Sequence, residues 1–169
     1  MFAGEVLSAP LKAKARRTFV YLHAKEWFEA FLLIEIKQKH EMAMLVGGNA
    51  YFRLNVTSDL EWIHLTKLTP HISYYDYSKV FNRVSTENYH LTFSADENTT
   101  DKQIVDKLSK GENVAIVFNS RELPEKYLNF PVIDGDLNDD RTTDPKGVII
   151  GIRLKVTVGG KDNSFGFAR

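Results

Sequence analysis

Tyr51-Phe52-Arg53-Leu54-Asn55-Val56-Thr57, Ile72-Ser73-Tyr74-Tyr75-Asp76-Tyr77 and Tyr89-His90-Leu91-Thr92-Phe93-Ser94 are three short segments, each running into a polar cluster. Side chains on a strand alternate between its two faces. In the first segment, Phe52, Leu54 and Val56 oppose Arg53, Asn55 and Thr57. In the third, Tyr89, Leu91 and Phe93 oppose His90, Thr92 and Ser94. Each strand therefore offers an apolar face to a core and a hydrogen-bonding face to water, a ligand or a neighbour.

The flanking sequence supplies what such strands pack against. Residues 25–45 carry Trp27, Phe28, Phe31, Leu32, Ile34, Ile36, Met42 and Leu45 at helical spacing, covering most of the circumference. That breadth predicts a helix buried on more than one side. Gly47-Gly48-Asn49 then ends it, because these residues tolerate the left-handed cap. Ser58 or Asp59 is placed to cap a short helix through Trp62, and residues 78–83 read as one or two helical turns. Thr100 or Asp101 caps a helix with Ile104, Val105 and Leu108 on one side. Val114-Ala115-Ile116-Val117-Phe118 is the near-continuous apolar run of a strand buried on both faces. A short strand follows at Pro131-Val132-Ile133, and another strand over residues 147–156.

Strands alternating with helical segments predict a single α/β domain with a mostly parallel sheet, resembling a partial β/α barrel. The expected organisation is a flexible lead-in at 1–11, the α/β domain at 12–158 and a surface tail at 159–169. Short crossovers imply neighbouring strands joined by right-handed connections. Ligands in such folds bind at the carboxyl ends of the strands. The polar clusters fall there: Asn55, Thr57 and Asp59; Asp76 and Lys79; Ser94 to Asn98; Asn119; Asp134 and Asp136.

Composition narrows the function classes. The 169 residues hold 22 Lys plus Arg against 22 Asp plus Glu. A neutral chain lacks a general electrostatic grip on nucleic acid or on an anionic membrane. The absence of cysteine excludes disulfides, thiolate zinc sites, cysteine nucleophiles and cysteine-held iron–sulfur clusters. No signal-peptide pattern and no membrane-length apolar run is present, so a soluble cytoplasmic protein is the expectation.

Five motifs in one order carry a resemblance. They are Arg53-Leu54-Asn55-Val56-Thr57-Ser58-Asp59, Tyr75-Asp76-Tyr77-Ser78-Lys79, Asn88-Tyr89-His90-Leu91-Thr92-Phe93-Ser94, Val132-Ile133-Asp134-Gly135-Asp136 and Asp144-Pro145-Lys146-Gly147-Val148-Ile149-Ile150-Gly151. From about Lys12 onward the series resembles the uncharacterised gene-product-eighty-eight family of phage and prophage proteins. The resemblance implies a phage context and, through it, the cytoplasm of a host cell. Longer relatives carry an upstream cysteine cluster that this chain lacks, and the family has glycine at the position of Val56.

His90 and Arg53 are the expected catalytic pair. A histidine titrating near neutrality serves as general acid or base, and an arginine holds phosphate or carboxylate through two bonds. Asn55, Thr57, Asp59, Asp76, Lys79, Thr92, Asp134 and Asp136 are the expected binding residues, with Arg53, Asn55, His90 and Thr92 in one cleft. His64-Leu65-Thr66 and His90-Leu91-Thr92 resemble the paired motifs of two-histidine phosphoesterases but stand too close in sequence. Asp134-Gly135-Asp136 opens like a calcium loop. However, Asp139 stands where that loop needs glycine and Pro145 where it needs glutamate. An ion-paired rim around Arg53 or Lys79, with Arg141 as a further internal partner, is expected there in place of a metal site. No cofactor is indicated. The leading expectation is an enzyme, or degenerate enzyme, that binds a small phosphorylated or nucleotide-like ligand at the strand ends. The alternative is a non-enzymatic phage protein that binds and blocks a host protein such as a defence nuclease. The basic cluster Lys12, Lys14, Arg16 and Arg17 reads as a phosphate contact or as the solvated start of a helix.

Overall fold

The computed structural model describes residues 9–155 and 168–169 and divides the chain into two compact units, 1–50 and 51–169. The first contains α1 (Ala9–His23) and α2 (Lys25–Leu45), separated by Ala24. Residues 9–11, expected in the lead-in, already belong to α1. Residues 1–8 and most of the expected tail lie outside the described residues. Ile36 is the one buried residue of α2 among those described, and Trp27, Phe31, Ile34, Met42 and Leu45 are exposed. The expectation of a helix buried on more than one side is corrected accordingly.

Among the described residues, the second unit forms an open seven-stranded sheet. Its strands are β1 (Tyr51–Phe52), β2 (Ser73–Ser78), β3 (Tyr89–Ser94), β4 (Val114–Phe118), β5 (Lys126–Tyr127), β6 (Phe130–Asp134) and β7 (Ile149–Arg153). The order is β1-β2-β3-β4-β7-β6-β5. Every pairing is parallel except the β5–β6 hairpin. The α/β class with a mostly parallel sheet holds, and the sheet does not close into a barrel. Two further helices, α3 (Ile63–Thr66) and α4 (Asp101–Ser109), lie in the connections.

One face of the sheet, the helix face, carries most of the core. Phe93, Val114, Ile116, Phe118 and Ile149 pack there against Ile104 and Leu108 of α4. Thr100 caps α4 through a capping box with Gln103, each side chain satisfying the other's backbone N–H. The other connections use the same face. Phe81, after β2, meets Phe93 edge to face at 5.6 Å. Thr69, before β2, bonds the Tyr74 hydroxyl at 2.6 Å. Leu123, after β4, packs on the same cluster.

Residues 135–148, between β6 and β7, take the opposite face. Val148 is buried there with Ala115 and Ile150, against Tyr77, Ile133 and Ile152. The reason is topological. The chain steps along the sheet from β1 to β4 and on to β6, then reverses to insert β7 between β4 and β6. Right-handed crossovers place forward steps on one face and the reversed step on the other. We call this second surface the crossover face.

The short helix expected to be capped by Ser58 or Asp59 and to run through Trp62 is absent; α3 opens only at Ile63, with no side-chain cap. Two further expected elements differ. The first strand stops at Phe52 where residues 51–57 were expected, and residues 79–88 form no helix. Both differences have the same kind of cause. Asp76 Oδ1 accepts from the Asn55 N–H at 2.8 Å and Oδ2 from the Leu54 N–H at 3.2 Å. Those donors are lost to a sheet ladder. After β2, Asp59 accepts from the Lys79 N–H at 2.8 Å and from Arg83, pinning that segment as a turn.

Candidate functional site

The register sorts the candidate residues by face. Tyr75 pairs with His90 and Tyr77 with Thr92, so these four side chains line the crossover face. Asp76 pairs with Leu91 on the helix face. Arg53, beyond the end of β1, extends its guanidinium over the Tyr77 ring, 4.8 Å from the centroid, with Nε 3.9 Å from Asp76 Oδ1. Arg53, His90 and Thr92 are thus brought to one surface formed by β2 and β3.

Asn55, expected with them, serves the loop after β1. Its Nδ2 donates to Leu60 O, and its Oδ1 accepts from Ser58 Oγ, Leu60 N and Trp62 Nε1, all within 3.0 Å. Asp76 is fully buried and accepts three bonds, the third from the Tyr89 hydroxyl at 2.9 Å. Burial raises its carboxyl above the usual range, while these donors and Arg53 hold it down. Asp59 pairs with Arg83, Lys79 is exposed, and Thr57 is exposed in a bend. His64 lies on α3, in a helix-face connection, so the two His-x-Thr motifs do not share a surface.

Asp134 and Asp136 belong elsewhere. β6 stands four strands from β2, about 19 Å at the usual strand spacing. Arg153 donates to Asp134 through Nη1 and Nη2 at 2.9 and 2.8 Å, and to Asp136 through Nη1 at 3.1 Å. These bonds hold the Asp134 carboxyl below its ordinary range. The acidic pair is ion-paired, as a rim was expected to be, but its partner is Arg153 rather than Arg53, Lys79 or Arg141.

The crossover contributes two side chains that sequence reasoning weighed only as loop charges. Arg141 is 1% exposed and faces Tyr77 and His90 electrostatically. Its Nη2 donates to Asn138 O and, at 2.8 Å, to Asn138 Oδ1. Its Nη1 lies 3.3 Å from Asp144 Oδ2, outside hydrogen-bonding geometry. Arg141 Nε and Nη1, His90 Nε2, Thr92 Oγ1, Asp144 Oδ2 and Arg53 Nε are all buried polar atoms without a hydrogen bond. Leaving such a group unsatisfied costs about 1–3 kcal/mol.

Burial dominates the titration of this cluster. It lowers the His90 imidazole below its ordinary value, with Arg141 and Lys146 adding to the effect and Asp144 and Asp140 opposing it. His90 is therefore neutral at neutral pH. Burial likewise raises Asp144, while Arg141 and His90 counter it. The Tyr77 hydroxyl is raised by burial, although Arg141 and Arg53 both pull it down. The polar cluster thus comprises two guanidiniums, a neutral imidazole, a hydroxyl and a desolvated carboxyl. It lies on the face of β2 and β3 under the β6–β7 crossover rather than at the strand ends.

A family model described as Gene product 88 matches residues 2–167. The chain belongs to that family. No curated protein and no solved structure matches it. The family match spans both units, so Arg53, His90, Thr92, Arg141 and Asp144 all lie within the Gene product 88 region. No described helix is long and apolar enough to cross a membrane.

Proposed function

We propose that the protein binds a small ligand bearing a phosphoryl or nucleotide-like group on the crossover face. Arg53 and Arg141 hold the anion, Thr92 donates to it, and His90 acts as general acid or base. Asp144 neutralises Arg141 in the free protein and favours the imidazolium electrostatically. The observation that supports this reading is the set of buried, unsatisfied donors, Arg141 Nε and Nη1 above all. Charged groups left without hydrogen bonds are costly, and a ligand that satisfies them recovers that cost. A phosphoryl group matches a planar guanidinium donor set. A neutral imidazole is the form that accepts a proton.

Titration calorimetry with inorganic phosphate and with nucleoside mono- and diphosphates tests this. Saturable binding is expected for at least one of them. Arg141→Gln should weaken it about tenfold to a hundredfold, as loss of a charge-assisted bond does. Thr92→Val separates function from packing. It removes an unsatisfied hydroxyl at nearly constant volume, so it should raise the melting temperature while lowering affinity. Stabilisation with no ligand bound by either protein would refute the proposal.

A further inference from the structure

We infer, resting on the phosphoryl binding proposed for the crossover face, that the ligand's anion carries an O–H group of its own and that Asp144 selects for it. The unsatisfied buried atoms of the site are not alike. Arg141 Nε and Nη1, on a side chain 1% exposed, can only give hydrogen bonds. His90 Nε2 gives or accepts according to its tautomer, and the Thr92 hydroxyl does either. Asp144 Oδ2 is the exception. An ionised carboxylate accepts and gives nothing, and the Arg141 guanidinium and His90 favour that form.

Asp144 Oδ2 stands 3.3 Å from Arg141 Nη1 without a hydrogen bond between them. Each keeps its hydrogen-bonding capacity, one to give and one to accept. An anion oxygen bonded to Nη1 therefore becomes a neighbour of Oδ2. A bare oxyanion such as sulfate would set negative oxygens against each other and leave Oδ2 unsatisfied. A phosphoryl group that retains a proton, or one with a hydroxyl on the adjoining carbon, accepts from Arg141 and donates to Asp144 at once. A buried polar group left unpaired is what lets a site reject an analogue lacking one hydroxyl.

Access to these atoms runs through the crossover. The hydrogen bonds described for residues 137–144 join them to one another. Leu137, the one large apolar residue among them, is 79% exposed. Among the described residues, neither a hydrogen bond nor a large apolar side chain of 137–144 fastens this segment to β2 or β3. Such a segment opens at low cost.

Titration calorimetry on the full chain compares inorganic phosphate, which keeps an O–H at neutral pH, with sulfate, which has none. Phosphate should bind about a hundredfold more tightly. Adenosine 3′-monophosphate and its 2′-deoxy counterpart differ by the hydroxyl beside the phosphoryl group. Discrimination within the first pair supports a protonated phosphoryl group as the donor, and within the second pair alone it supports the neighbouring hydroxyl. Asp144→Asn should reduce the preference to about threefold or less by raising affinity for the partner that lacks the O–H. A change that merely loosened the site would weaken both members of a pair alike. The comparison on the parent decides the matter even where the variant fails to fold. Equal binding within both pairs, or a preference that survives Asp144→Asn, overturns selection by Asp144 while anion binding stands. Binding of none of these probes refutes both.

Discussion

At the scale of single residues, His90 couples the candidate site to pH. Its folded-state pKa is lowered by burial from an ordinary value of 6.5. Between the lowered value and 6.5, the unfolded chain binds more protons than the native one. Stability therefore rises with pH across that window and is lost as pH falls through it. Asp144 and Asp76 act in the opposite sense. Their carboxyls are raised above 3.8, so the native state binds more protons from 3.8 up to the raised value, and stability falls as pH rises through that window. The contributions come from different groups, so substituting His90 alone isolates the histidine part. His90→Gln should flatten the fall in melting temperature between about pH 7 and pH 5.5. Thermal melts across that range check it. Parallel curves for parent and variant would show that His90 is not held neutral by its surroundings. The sequence marked His90, Thr92 and Arg53 through strand alternation, a local property. Asp76 was marked as a binding residue, yet its carboxyl is engaged by donors about twenty residues away. Arg141 was weighed only as an ion-pair partner for loop carboxylates. One arginine among Asp139, Asp140 and Asp144 was the available signal, and its meaning depends on which face the crossover takes.

At the scale of elements, what was legible depended on locality. α4 announced itself through Thr100-Asp101-Lys102-Gln103, because a capping box is complete within four residues. β4 was equally plain as an unbroken apolar run. The β5–β6 hairpin was not, since its turn uses Leu128 and Asn129 at φ 49° and 67°. That conformation usually selects glycine or asparagine at both positions. β1 was overextended because apolar alternation continues to Val56 while a distant carboxylate removes the backbone donors. The β6–β7 crossover is the element on which the candidate site depends, and Gly135 is where it departs. The Gly135 N–H donates to Gly151 O at 2.8 Å. A Cβ at position 135 would lie 2.5 Å from Ile150 Cγ2 and 3.1 Å from Gly151 O. Ile150 is fully buried in the crossover-face core, so it has little room to yield. Gly135→Ala should cost about 1–3 kcal/mol, the usual range for overpacking. It should also weaken phosphate binding by shifting the loop that carries Arg141. Urea unfolding measures the first effect and calorimetry the second. Unchanged stability would mean that β6 and β7 separate more easily than their packing implies.

At the scale of the whole sheet, strand order sets where the fold is strongest. β4 and β7 occupy the interior, pair over five residues each, and are covered on both faces around Val114, Ile116, Ile149 and Ile150. The margins are thin. β1 contributes two residues, and β5 contributes two through a hairpin. Short edge strands limit edge-to-edge pairing with other chains, but they also leave little holding the margins closed. Opening free energies in one protein range from near zero at fraying edges to the global value in the core. Native-state hydrogen exchange should therefore rank Val114–Phe118 and Ile149–Arg153 as the slowest segments. Tyr51–Phe52 and Lys126–Tyr127 should exchange fastest among the strands. β3 occupies an intermediate place with a specific consequence. It pairs with β2 over five residues but with β4 over only two, so β2 and β3 can loosen together without disturbing β4 and β7. The candidate site sits on that β2–β3 pair. A phosphorylated ligand bridging Arg53 to Arg141 would tie the pair to the crossover and slow its exchange selectively. Equal protection of β2–β3 and β4–β7 in the free protein would contradict this division of the sheet.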